Sequence, residues 1–355
     1  MFLLTKYTRI GASSRYRTFQ FLPTLRKAGL HCTVSPLFDD AYLMHKYEYG
    51  RASVLHLLSA FARRLWIILN MPQDVVVMVE YELLPFGPAL IERWLVWRGC
   101  RLVVDYDDPL FHQYDQHTSF WVRRLLGRKI ATVMRLADTV IAGNAYLSDY
   151  AWRAGAKRVV VIPTVVDLMR YPLLPAAINS TIFTIGWIGS PTTAKYLHAV
   201  GPALAAVCQG GRARLRVIGS GPINMPGVPL ECLDWSEATE VDQMRSFDVG
   251  IMPLPDEPWA RGKCGFKLIQ YMACGLPVVA SPVGVNAEIV EEGVNGYLAR
   301  SIDDWQRALA RLMASSDDCK RMGQAGRRKV EAEFSLQVTA PKVLKVIREA
   351  ANRHV

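Results

Sequence analysis

The chain has 355 residues and 51% hydrophobic content, more than one ordinary core takes and enough for two. Its longest apolar runs, such as Leu65 to Leu69, fall far short of the roughly 18 to 20 residues a membrane-spanning helix needs. The start "MFLLTKYTRIGASS" has too short an apolar run for a signal peptide and carries its cation on the wrong side, so a cytoplasmic chain is expected.

Taken in chain order, short β-branched runs alternate with longer amphipathic segments. "MFLLTKY", "HCTVSPL", "DVVVMVE", "RLVVDY", "DTVIAGN" and "RVVVIPT" read as strands, with helical patterns near 14–28, 52–70, 86–99, 118–136 and 145–154. After "RYPLLPAAINS" (170–180) the alternation restarts with "FTIGWIGS", "RLRVIGSG", "LECLDW", "DVGIMPL", "PVVASPV" and "GYLAR". Strands alternating with helices predict parallel sheets covered on both faces, here in two doubly wound α/β domains joined near 171–181. The expected division is 1–170, 181–335 and a final helix over 336–355 that packs on either domain. The seven cysteines are odd in number and scattered without a C-x-x-C pair, so they suggest neither a disulfide framework nor a zinc knuckle and read as buried small hydrophobes.

Residues 1–175 carry 22 Lys and Arg against 14 Asp and Glu, +8 of the chain's net +10. A basic half suits nucleic acid, anionic lipid or a phosphorylated substrate. No nucleic-acid module is recognisable. In "HLLSAFARRLWIILNM" (56–71) and "SFWVRRLLGRKIATVMRL" (119–136) cations interleave with Trp and Leu at helical spacing. That pattern fits a helix lying on an anionic bilayer surface, or a packed helix with a solvated basic side.

Ligands of open parallel sheets sit beyond the carboxyl ends of the strands, where loops meet helix N-termini. "RIGASSRYR" follows the first strand: Gly11 lets the backbone turn, Ser13 and Ser14 offer a cap, and Arg15 and Arg17 add charge for an anion. "GWIGSPTTAKYL" opens the second domain. There Gly189 ends a strand, Ser190, Thr192 and Thr193 supply hydroxyls, and Lys195 sits in a first helical turn that a cation disfavours unless an anion is bound. "VIGSGPIN" adds Gly219 and Gly221. In "RGKCGFKLIQYMACGLPVVASPVG" (261–284) three cations, Arg261, Lys263 and Lys267, and two glycines, Gly262 and Gly265, stand at the mouth of a helix. Lys267 reads equally as a site cation and as a solvated surface cation.

The stretch "MACGLPVVASPVGVNAEIVEEGVNGYLA" (272–299), preceded by "DVGIMPLPDEPWA", "VIGSGP" and "VVVIPTVVD", resembles glycosyltransferase family 4, densely over 183–299 and loosely in the first domain. The resemblance implies the GT-B architecture of two facing Rossmann-like domains. It also implies sugar transfer from a nucleotide-sugar with retention, no metal or cofactor, a donor site in the second domain and an acceptor site in the first. The family's strand-end glycine and diphosphate-binding lysine fall on Gly189 and Lys195, with Ser190 where an arginine is usual. Its two glutamates, eight positions apart, fall on Gly262 and Gln270, so both carboxylates are replaced. Lys263, with Arg261, is the expected substitute cation for the diphosphate. Gly265, Phe266 and Gly221 line the same donor site, Gln270 offers its amide to ribose hydroxyls, and Glu257 reaches the sugar.

In "RLVVDYDDPLFHQYD" (101–115) the family's His-Asp pair falls on Asp107 and Asp108. A carboxylate there orients an acceptor hydroxyl or steadies a cationic sugar, with His112 as a second catalytic residue. Either Asp also suits the N-cap of a turn beginning at Pro109. "DYD" matches the D-x-D metal motif of the other large glycosyltransferase fold, but that fold has one nucleotide-binding domain. The expected function is therefore a glycosyltransferase acting on a glycan or lipid-linked saccharide in cell-surface polysaccharide or glycolipid synthesis. A non-catalytic nucleotide- or glycan-binding homologue that assists a partner enzyme, and a GT-B nucleotide-sugar epimerase, are the alternatives.

Overall fold

A computed structural model describes residues 1–49, 54–173 and 182–352. The segments read as strands form β1 (Phe2–Tyr7), β2 (Thr33–Phe38), β3 (Val76–Glu80), β4 (Arg101–Tyr106), β5 (Thr139–Ala142) and β6 (Val159–Val161). The second set gives β7 (Phe183–Ile188), β8 (Ala213–Ile218), β9 (Leu230–Leu233), β10 (Val249–Met252), β11 (Val278–Ala280) and β12 (Gly296–Leu298). All pairings between these strands are parallel. The central strands β3, β5, β10 and β11 are buried along their whole length, which is why their sequences run apolar instead of alternating.

The chain divides into one unit of Met1–Thr164 with Thr339–Val355, and a second of Val165–Val338. The first sheet has the order β2-β1-β3-β4-β5-β6 and the second β12-β11-β10-β7-β8-β9. In each, successive strands are added first to one side and then to the other. The reversal falls between β1 and β3 in the first sheet and between β7 and β10 in the second. At such a switch point the flanking loops part and leave a crevice at the strands' carboxyl ends. The segment joining the units was expected over 171–181, of which 174–181 lies outside the described residues.

Helices differ from expectation in places. The 118–136 segment is two helices, Phe120–Leu126 and Lys129–Leu136, because Gly127 ends the first with its backbone folded against the carbonyl of Arg123. The 14–28 segment is likewise divided into Ala12–Arg17 and Leu22–Lys27 by a 3₁₀ turn. A helix over Asp40–Tyr49 was not expected. The last helix, Leu336–Ala351, belongs to the first unit from Thr339 onward, where Glu349 pairs with Arg158. Cys100, Cys208 and Cys264 are buried as expected, whereas Cys232 is exposed at the edge strand β9. Among the described residues no helix is long and apolar enough to cross a membrane.

Candidate active site

In the second unit the loops after β7 and β8 stack on one another. Gly189 ends β7, its N–H donating to the carbonyl of Ile218, and a Cβ on Gly219 would lie 2.6 Å from the Gly189 carbonyl oxygen. Gly219 also holds a left-handed backbone at φ +75°, so glycine is needed there on both counts. Gly221 sits beside Pro191 at the start of the next helix. Ser190 occupies the N-cap of that helix: its N–H donates to the Thr193 hydroxyl at 3.2 Å, and its own hydroxyl lies 2.8 Å from that of Thr192. Lys195 is exposed, its ammonium 5.4 Å from the Tyr196 ring.

The inward-facing cation is Lys267. It stands in the first turn of the helix Phe266–Ala273, which starts from Gly265 in a left-handed conformation at φ +63°. The Lys267 ammonium lies 4.0 Å from the centroid of the Trp187 ring, and a Cβ on Gly189 would come within 2.5 Å of its Nζ. No carboxylate pairs with it among the described residues. Burial, and then the positive charge of Lys263, push the Lys267 ammonium down to about 7. A cation held against the end of a strand and depressed by a second cation is poised for an anion, which would restore its charge. The dipole argument that singled out Lys195 applies equally to the first turn at Lys267.

The remaining donor-site positions divide. Lys263 is half-buried beside Lys267, and Phe266 packs against the core of the unit. Arg261 is exposed and forms a forked pair with Asp256 at 2.6 and 3.1 Å. Glu257 is exposed at the N-cap of the short helix Pro258–Arg261, and Gly262 directly follows that helix. Gln270 points into the interior, 4% exposed, and donates its amide to the Tyr171 hydroxyl at 3.1 Å.

In the first unit the switch point collects a polar cluster that the sequence showed only in part. Gly11 is the N-cap of Ala12–Arg17. The Ser14 hydroxyl donates to Glu80 Oε2 at 2.6 Å and accepts from the N–H of Tyr7. Ser13 Oγ lies 2.7 Å from Glu80 Oε1, 3.0 Å from the Tyr81 hydroxyl and 3.2 Å from Asp107 Oδ1, and Tyr81 itself donates to Asp107. Glu80 is 2% exposed, and burial pushes its carboxyl up to about 7. Tyr81 takes a left-handed backbone at φ +63°, costly for an aromatic residue, which turns its ring onto this cluster. Glu80 and Tyr81 were missed. The signal available was an acid closing an otherwise apolar strand.

Asp107 and Asp108 are half-buried; the turn beginning at Pro109 is present, closed by the His112 N–H donating to the Pro109 carbonyl at 2.9 Å, and the helix proper begins at His112. The His112 ring nitrogens lie 3.0 Å from Asp115 Oδ1 and 2.8 Å from the Tyr146 hydroxyl. Arg15 turns inward onto the carbonyls of Arg9 and Ile10, and Arg17 reaches Asp105 beneath the loop.

Residues 180–315 match the family described as glycosyl transferases group 1. Spore coat protein SA of Bacillus subtilis is 37% identical over 78 residues, 21% of this chain and 21% of that protein. The MMP alpha-(1->4)-mannosyltransferase of Mycolicibacterium hassiacum is 35% identical over 96 residues, 25% of this chain and 23% of that enzyme. The matches thus span only about a fifth to a quarter of these relatives' length. Among solved structures, Anabaena HepE in complex with UDP-glucose superposes with a TM-score of 0.72 at 15% identity, covering 98% of this chain and 99% of that one. Sucrose-phosphate synthase from Thermosynechococcus elongatus gives 0.67 at 17% identity, covering 98% of each. The chain therefore has the GT-B fold of two Rossmann-like domains.

Proposed function

We propose that this protein is a glycosyltransferase that moves a sugar from a nucleoside-diphosphate sugar to a glycan or lipid-linked saccharide, with retention, in the manner of family 4. The observation that carries this is the Lys267 ammonium set against the glycine end of β7 with Lys263 beside it. Two cations beside a strand end left open by glycine offer charge to a diphosphate without a resident metal or cofactor. The group 1 match over the same residues and the likeness to a structure holding UDP-glucose support the reading. In the proposed reaction the leaving diphosphate accepts the acceptor's proton. Asp107, at the carboxyl end of the first sheet, orients the acceptor hydroxyl.

Calorimetric titration with UDP, GDP and dTDP tests the donor site. One base is expected to bind selectively, and Lys263→Ala to weaken it roughly ten- to hundredfold, the equivalent of a charge-assisted contact. Lys195→Ala is expected to have the smaller effect, because Lys195 is exposed. Absence of binding by every nucleotide overturns the reading in favour of a non-catalytic homologue.

The reading includes a place at the cytoplasmic face of an anionic membrane. Trp66 on the helix Val54–Leu69 is 66% exposed and Trp121 on Phe120–Leu126 is 68% exposed; Leu55, Leu69 and Leu125 are exposed with them. Arg123 and Arg124 on the second of these helices, and Arg128 just beyond it, supply the positive charge. The protein should float with phosphatidylglycerol vesicles at low salt, and the double variant Trp121→Glu, Leu125→Glu should stay behind. Wild-type protein remaining in the soluble fraction removes the membrane from the reading.

A further inference from the structure

The switch point of the first sheet brings β1, β3 and the loop after β4 to one place, and there two carboxyl groups meet across a serine. Ser13 Oγ touches Glu80 Oε1 and Asp107 Oδ1 at 2.7 and 3.2 Å, and the Tyr81 hydroxyl touches both Ser13 and Asp107. Four close contacts therefore join four side chains. Ser13 and Tyr81 contribute one hydroxyl hydrogen each. With both carboxyls ionised, two contacts lack a hydrogen and two buried or half-buried negative charges flank one serine. A single proton on Glu80 changes the pattern: Glu80 donates to Ser13, Ser13 donates to Asp107, and Tyr81 donates to Asp107. Ser14 and the N–H of Lys6 still donate to the other Glu80 oxygen.

We propose that Glu80 shares a proton with Asp107 through the Ser13 hydroxyl, and that the proton held on Glu80 positions Asp107 as a carboxylate at the acceptor end of the first unit. The inference rests on the role given to Asp107 above. Glu80 is a positioning residue, since it acts through Ser13 and is buried from any substrate. The proton resides on Glu80 because burial penalises its charge more than that of half-buried Asp107. Other groups face this cluster. Arg64, from the helix Val54–Leu69, is held by the carbonyls of Thr5 and Ser35 and interacts with the Glu80 charge. The Lys6 ammonium lies 5.2 Å from the Tyr81 ring, and Asp108 adds negative charge near Tyr81. Arg64 favours ionised Glu80, and Asp107 opposes it.

Infrared difference spectra of the full chain across pH test the sharing without substrate. Wild-type protein should gain the carbonyl band of a buried protonated carboxyl as pH falls through about 7. Glu80→Gln should lack the band. Ser13→Ala should move its midpoint up, because Ser13 donates to the ionised form. Asp107→Asn should move it down by roughly one pH unit, because a neighbouring negative charge is lost. A midpoint unmoved in both variants, or no band in wild type, overturns the proposal. Turnover adds a second readout. The amide introduced by Glu80→Gln offers a fixed N–H to Ser13, so this variant should retain activity at alkaline pH where the wild type loses it, whereas Glu80→Ala should lose activity throughout. A high-pH limb kept unchanged in Glu80→Gln also overturns the proposal. Absence of turnover with every nucleotide-sugar, beside a coupled band, sinks the proposed function and leaves the shared proton standing.

Discussion

Lys267→Ala is expected to weaken nucleotide binding roughly ten- to hundredfold below pH 7 and to remove its pH dependence, while leaving the protein as stable as before or more so. The first part follows from the place of the ammonium, against Trp187 and the glycine at 189, where a diphosphate would meet it at close range. The second follows from linkage. Lys267 falls to about 7 in the folded chain against an ordinary 10.5, so between those values the unfolded state binds more protons. Stability then rises with pH across that window, and at neutral pH the folded state bears the cost of a half-buried, desolvated cation. An arriving diphosphate returns the ammonium to its charged form. Binding above pH 7 should therefore take up a proton, and affinity should fall as pH rises. Calorimetry in buffers of different ionisation enthalpy measures the uptake, and thermal unfolding of the free variant measures the relief. A variant that loses both stability and affinity would mark Lys267 as part of the packing instead.

Asp105→Ala and Arg17→Ala should each destabilise the first unit by about 3–5 kcal/mol, which is what removing one partner of a buried ion pair costs. Arg17 and Asp105 are almost wholly buried and joined by a fork in which Nε and Nη2 donate to the two carboxylate oxygens, and Arg17 Nη1 donates to the carbonyl of Ile162 at 2.8 Å. One side chain thus ties the helix Ala12–Arg17, which carries Ser13 and Ser14, to β4 and to the segment after β6. Either single change leaves a charge or a carbonyl inside without its partner. The double variant Arg17→Met, Asp105→Leu should recover most of the loss, because two apolar groups bury without a desolvation penalty. Differential scanning of the three variants decides it. A double variant as unstable as the singles would show that the Arg17 contacts to Ile162 dominate over the pair.

The two-sheet architecture was legible because most strands are short runs rich in Val and Ile, as in VVMVE, TVIA and VGIM, and burial on both faces of these central strands leaves no competing helical period. The 118–136 helix failed at Gly127, whose effect depends on a neighbouring carbonyl and not on composition. The donor loop was legible by resemblance, and its replaced carboxylates drew attention to Lys263. Lys267 was harder, since a lysine one turn into an amphipathic helix reads as solvated until Trp187 and Gly189 are seen against it. Gln270 shows the reverse: its place at the position of a family glutamate suggested a ribose contact, and the fold gives its amide to Tyr171. Glu80 was illegible for a topological reason. It faces Ser13 only because β1 lies between β2 and β3, an order that no local pattern encodes.

The return of the last helix to the first unit bears on how the protein is made. Val343, Val346, Ile347 and Ala350 are buried, and they belong to the unit whose other residues end at Thr164. During synthesis the first unit waits, short of one helix, until the ribosome has passed through the whole of the second. For that interval its apolar seam stands open to chaperones or to other nascent chains, and the second unit is the one able to finish folding first.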